Sequence, residues 1–119
     1  MSILIVDDDF AIRDSLSQLL EGEGFLVTTV SDGQEALDLL LRSSEQPCLI
    51  LLDLMMPGVN GWEFRRRQQE NPTLASIPVA IISANRNLKA QASTLEAHGY
   101  IDKPIDTEAL FEIVGRYCV

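Results

Sequence analysis

Asp7, Asp8 and Asp9 stand together near the start of the chain, and Asp53 stands alone after an apolar run. Ser83 ends another such run, and Asp102 and Lys103 follow a third. Two carboxylates about 4 Å apart repel by roughly 4 kcal/mol at an effective dielectric of 20, so a folded cluster of these acids calls for a counter-cation. Oxygen donors with no histidine or cysteine nearby point to Mg²⁺, with Mn²⁺ as the alternative, and away from zinc. Mg²⁺ in turn commonly pairs a few carboxylates with substrate phosphate. Lys103 supplies a fixed positive charge for a phosphoryl oxygen, and the Ser83 hydroxyl can donate to another. Asp53 is then the natural nucleophile, because a carboxylate can attack phosphorus to give an acyl phosphate.

Gathering these side chains requires elements that end at one place. Short apolar runs at residues 3–6, 25–30, 48–52, 79–82 and 100–101 read as five strands, the third and fourth buried on both faces. Between them, Ile12, Leu16, Leu19 and Leu20 recur at helical spacing, as do Ala36, Leu37, Leu40 and Leu41, and later Leu110, Phe111 and Val114. Gly22 and Gly24 close the first helix, Asn71-Pro72 closes the third, and Pro78 stands at the start of the fourth strand. A fourth helix falls within residues 87–97, and a fifth ends the chain. Strands alternating with helices imply right-handed crossovers and a parallel sheet covered on both faces, a doubly wound α/β domain. Ligands of such sheets bind outside the carboxyl ends of the strands, where the seven chemistry-bearing residues fall.

The chain of 119 residues carries a net charge of −9, with 46% hydrophobic and 23% charged residues, which fits one domain over residues 1–119. Its acidity disfavours direct contact with nucleic acid or anionic lipid, and no apolar run approaches the roughly 18 residues of a membrane span. Only two cysteines occur, Cys48 and Cys118. Cys48 adjoins an apolar run and reads as a small hydrophobe, so no disulfide framework is expected and the protein is read as cytoplasmic and reduced.

The stretches ILIVDDD (3–9), SDGQEAL (31–37), LLDLMMPGVNGWEF (51–64), ISA (82–84) and GYIDKP (99–104) together resemble the receiver domain of two-component response regulators. The likeness is to the single-domain kind similar to the chemotaxis regulator, and it covers essentially the whole chain. It implies a flavodoxin-like five-stranded sheet of order 2-1-3-4-5. It also implies that Asp53 is the phosphoacceptor, taking its phosphoryl group from a phosphohistidine of a histidine kinase or phosphotransfer protein. Asp8, Asp53 and the backbone carbonyl of Met55 would bind Mg²⁺, with Asp7 acting mainly through water. Lys103 would pair with Asp53 and then with the phosphoryl group. Ser83 would grasp a phosphoryl oxygen and let Tyr100 swing inward as the switch. A cis Lys103-Pro104 peptide is implied too, and proline is the residue that permits one at low cost. Met55 and Asn85 occupy positions that vary in the family and influence the lifetime of the phosphoryl group. The stretch from Ser83 to Tyr100 is slightly short for the family, with Glu96 where glycine is common, so a shortened or irregular fourth helix is expected.

Several of these residues have plainer roles open to them. Asp9 reads as a helix N-cap, and Tyr100 could be a static strand aromatic with a wet hydroxyl. Arg65, Arg66 and Arg67 read as a solvated helix face, Met55 and Met56 as loop packing, and Trp62 as an anchor on the core or a partner-facing ring. His98, with no second ligand nearby, reads as a surface or helix-terminal residue. The function expected is a phosphorylation-controlled switch that catalyses only its own phosphorylation and dephosphorylation, and is not an enzyme for metabolites. Ending at Val119 without an output domain, it would act on its downstream target through protein contacts. The alternatives are a Mg²⁺-dependent phosphatase working through an aspartyl phosphate and an unphosphorylated interaction scaffold. Met55 offers no general acid–base help two residues after Asp53, which weighs against the phosphatase.

Overall fold

The computed structural model describes residues 2–56, 58–84 and 87–118. Among them, strands and helices alternate as β1 (Ser2–Val6), α1 (Phe10–Gly22), β2 (Leu26–Val30), α2 (Gly33–Arg42), β3 (Leu49–Asp53), α3 (Gly61–Glu70), β4 (Val79–Ser83), α4 (Leu88–Thr94), β5 (Gly99–Asp102) and α5 (Thr107–Tyr117). The sheet is parallel throughout, in the order β2-β1-β3-β4-β5. This is the expected flavodoxin-like fold.

Period-2 alternation splits the strand side chains between two layers of core. Leu4, Val6, Ile50, Leu52, Val79 and Ile81 meet Leu40 of α2, Phe64 of α3 and Leu88 of α4. Ile3, Ile5, Leu49, Leu51, Ala80 and Ile82 meet Leu16 and Leu20 of α1 and Leu110 and Val114 of α5. All five residues of β3 and of β4 are buried. That burial fixes the register, because a one-residue slip would exchange the two layers. Leu19 and Leu41, although at helical spacing, lie 39% and 60% exposed, since each sits at the rim of its helix's apolar stripe. No helix among the described residues is long and apolar enough to cross a membrane.

Helix starts follow the short polar residues that precede them. Asp9, Asp32, Asn60 and Asp106 each accept a backbone N–H from the first turn of α1, α2, α3 and α5. The fourth helix is indeed short, at 7 residues. The chain leaves it through Glu96, at a left-handed φ of 55°.

Two expectations are corrected by the fold. Arg65 is not part of a solvated face but is buried, 3% exposed. Its guanidinium donates to the carbonyls of Leu95 (3.0 Å) and Glu96 (2.7 Å) and to Gln68 Oε1 (2.7 Å), closing the end of α4 from α3. Arg66 and Arg67 do face solvent, where both pair with Glu63. The second correction concerns the cysteines. Cys48, just before β3, and Cys118, just after α5, are joined as a disulfide with Cα atoms 5.4 Å apart across a separation of 70 residues. The α5 helix lies over the sheet so that the residue after it meets the residue before the central strand, a juxtaposition that sequence spacing does not signal.

Candidate functional site

The acids after β1 have three different environments. Asp7 continues the strand, its N–H donating to Val30 O, and its side chain is fully buried. Its Oδ1 accepts the Asp9 N–H at 2.9 Å, and its carbonyl accepts Arg13 Nη1 at 2.7 Å. Asp8 is exposed toward the cleft, and Asp9 caps α1 by accepting from Ala11 N. Only the turn from strand to helix separates the three, so side-chain direction alone sorts them into a buried acid, an open acid and a cap.

Asp53 is the last residue of β3 and is 3% exposed. The start of α3 closes against it from one side. Gly61 permits that approach, because a Cβ there would lie 2.6 Å from Asp53 O and 2.7 Å from Leu54 Cα. Sequence reading had not singled out Gly61, although the Asn60-Gly61 dipeptide was a usable signal for a cap and turn. Burial, reinforced by the Asp7 carboxylate, pushes the Asp53 carboxyl up to about 6, against the opposing pull of Lys103 and the Met55 N–H.

Lys103 reaches the acids from the opposite edge. Its N–H donates to Ser83 O at 3.0 Å, and the following Lys103-Pro104 peptide is cis. Nζ lies 2.9 Å from Asp7 Oδ2 and 3.6 Å from Asp53 Oδ1. The ammonium thus sits closer to Asp7 than to Asp53, the partner the family resemblance implied. Burial acts to lower the Lys103 pKa, but the two carboxylates, Asp7 foremost, outweigh it and leave it raised. Ser83, buried at the end of β4, shares with Asp8, Asp53, Met55 and Lys103 the lining of one open cleft.

A carboxylate oxygen from each of Asp7, Asp8 and Asp53 lies within 4.8 Å of the others. Three hard oxygen donors, two of them buried with one ammonium between them, suit a hard divalent cation and offer nothing to a soft one.

Tyr100 is not brought to this cleft. It pairs with Ile81 in the sheet, is 40% exposed and lines a groove with His98, Ile113 and Arg116. The Met55 side chain is 65% exposed and does not pack the loop, whereas Met56 is buried. Trp62 packs against the core, and Asn85 lies outside the described residues. His98 is exposed, as expected, but does not end a helix. Its Nδ1 accepts the Val79 N–H at 3.1 Å while its own N–H donates to Val79 O at 2.8 Å. Burial, with the charge of Arg65 second, holds its pKa below the usual histidine range.

Comparison with known proteins agrees with this fold. Residues 3–115 match the response regulator receiver domain family. The chain is 36% identical, over its whole length and 91% of the relative's, to the uncharacterized 14.6 kDa protein of the sodA1 3′ region of Leptolyngbya boryana. It is 37% identical to the response regulator MprA of Mycolicibacterium vanbaalenii, matching over 96% of its own length but only 47% of that protein. Among solved structures, the Vibrio cholerae chemotaxis protein CheY4 superposes with a TM-score of 0.85 at 27% identity, covering 98% of this chain and 97% of that one. The receiver domain of a signal transduction histidine kinase from Syntrophus aciditrophicus gives 0.86 at 30% identity, covering 98% and 88%.

Proposed function

The chain belongs to the response regulator receiver domain family, and from that premise we propose that it is a two-component signalling switch that takes a phosphoryl group onto Asp53. The observation that carries this reading is the convergence of Asp8, Asp53, Ser83 and Lys103, from four strand ends, on one cleft, with the buried Asp7 beside Lys103 and within the same acidic cluster.

An Asp53 carboxylate oxygen attacks phosphorus of a phosphohistidine presented by a histidine kinase or phosphotransfer protein. The P–N bond breaks, its electrons return to the imidazole, and an aspartyl phosphate remains. Mg²⁺, held by Asp8, Asp53 and the Met55 carbonyl with Asp7 behind them, would supply positive charge against the equatorial phosphoryl oxygens. Lys103 lies between the two buried acids and is placed to leave Asp7 and Asp53 for a phosphoryl oxygen. The Ser83 hydroxyl donates to another. Burial of Asp53 at the end of β3 keeps bulk water off the nucleophile. Tyr100, outward and half-exposed, is the residue whose rotation would report the modification to a partner at the β5–α5 groove. The reading carries a cytoplasmic location and a downstream protein target with it.

Intact mass after incubation with Mg²⁺ and acetyl phosphate tests this. One added phosphoryl group is expected, absent in Asp53→Asn and absent with a chelator. An adduct that persists in Asp53→Asn would place the acceptor elsewhere and overturn the assignment.

A further inference from the structure

The two cysteines are the only ones in the chain, and they lie at the end of the sheet away from Asp53. Cys48 immediately precedes β3 and Asp53 is its last residue, so the strand itself holds them roughly 17 Å apart. The Cα separation of 5.4 Å falls within the range a disulfide spans without backbone movement. The two sulfurs differ in access: Cys118 is buried among Val114, Leu110 and Leu49, whereas Cys48 is partly exposed at the rim.

We propose that Cys48 and Cys118 form a reversible thiol–disulfide exchange site, addressed through Cys48 by low-molecular-weight thiols and disulfides, that fixes or frees the last turn of α5. The neighbour of Cys118 shows what that turn controls. Tyr117 donates its hydroxyl to His98 O at 3.3 Å and packs edge-on against the His98 ring at 5.7 Å between centroids. His98 in turn is bonded in both directions to Val79 at the start of β4 and leads directly into β5. The disulfide therefore anchors the end of α5 to β3 at the point where α5 meets β4 and β5, beside the groove that Tyr100 lines.

The exchange balances with glutathione as co-reactant. In reduction, a glutathione thiolate attacks Cys48 Sγ, the S–S bond breaks, and Cys118 leaves as a thiolate that takes a proton in its apolar surroundings. A second glutathione thiolate attacks the mixed disulfide, releasing the Cys48 thiol and oxidised glutathione. Two electrons pass to the protein, and the reverse sequence oxidises it. The site stands apart from the phosphoryl chemistry, so its behaviour does not depend on Asp53.

The test equilibrates the full chain in glutathione buffers of graded ratio, traps free thiols with a maleimide and follows intact mass beside hydrogen exchange. The expected result is a single two-thiol transition with no lasting glutathione adduct, and amide exchange in the last turn of α5 at least roughly tenfold faster in the reduced form. Cys48→Ser should behave as the reduced form in every buffer, and acetyl phosphate labelling of Asp53 should be unchanged across the series. A glutathione adduct on Cys48 without the internal bond would overturn the proposal. So would an internal bond whose reduction leaves α5 exchange unaltered. Because reduced wild type is compared with oxidised wild type, the result stands even if the variant folds poorly.

Discussion

Lys103 Nζ approaches Asp7 Oδ2 to 2.9 Å, nearer than its 3.6 Å to Asp53 Oδ1. The fully buried Asp7 thus takes the closer share of the ammonium and leaves Asp53 only partly compensated. Burial and the Asp7 carboxylate raise the Asp53 pKa, and the more distant ammonium offsets them only in part, which leaves the carboxylate available to a metal and a phosphoryl group.

Replacing Lys103 strands two buried carboxylates. Lys103→Met should lower the stability of the metal-free protein at pH 7.5 by about 2 to 4 kcal/mol, as expected for removing one partner of a buried ion pair. Added Mg²⁺ should restore a part of it by mass action. Urea unfolding with chelator and with millimolar Mg²⁺ measures both. An unchanged midpoint in chelator would contradict the counter-ion role.

The raised carboxyl of Asp53 sets a pH dependence whose sign can be worked out. The folded value is about 6 against 3.8 for the free side chain, so the fold holds the proton more tightly than the unfolded chain. Its stabilising contribution is complete below about pH 4 and is lost as pH rises through 6. Without metal, Asp53→Asn should therefore be more stable than the parent at pH 7.5, by up to about 3 kcal/mol, and should lose this advantage near pH 4. Urea midpoints at the two pH values test the sign.

Protons and metal compete for the same oxygen. Mg²⁺ binding followed by calorimetry should be flat above pH 7 and weaken by close to tenfold per pH unit below about 6, with release of the proton that the metal displaces from the Asp53 carboxyl. In Asp53→Asn the residual binding should be weaker and should lack the inflection near 6.

Adjacent arginines on α3 should differ sharply. Arg65→Met leaves the buried Gln68 amide and the partly buried carbonyls of Leu95 and Glu96 short of a donor, and should cost about 2 to 3 kcal/mol. Arg66→Met removes only exposed pairs with Glu63 and Glu70 and should leave the unfolding midpoint nearly unchanged. Glu96→Gly should stabilise by roughly 0.5 to 1 kcal/mol, because its φ of 55° is a conformation that glycine adopts without a Cβ penalty. Chemical denaturation of the three variants orders them. Equal losses for the two arginines would contradict the buried anchor.

Much of this molecule was legible in the chain itself. Continuous apolar runs at residues 3–6, 79–82 and before Asp53 define strands, and a buried parallel sheet delivers the residues that end those strands to one edge. Asp7, Asp8, Asp53, Ser83 and Lys103 therefore group together from the sequence alone. Asp9 could be separated from them as a cap, because capping is a local property of one turn. Periodicity reports which way a residue faces relative to its own element and nothing about what stands opposite. Three consecutive arginines turn by about 100° each, and only the placement of α4 against α3 decided that Arg65 would be swallowed while Arg66 and Arg67 stayed wet. The preference of Lys103 for Asp7 and the meeting of Cys48 with Cys118 across 70 residues are of the same kind. Local sequence fixes each partner's own position, but contacts between distant elements depend on how the helices settle on the twisted sheet, and that is a property of the packed whole.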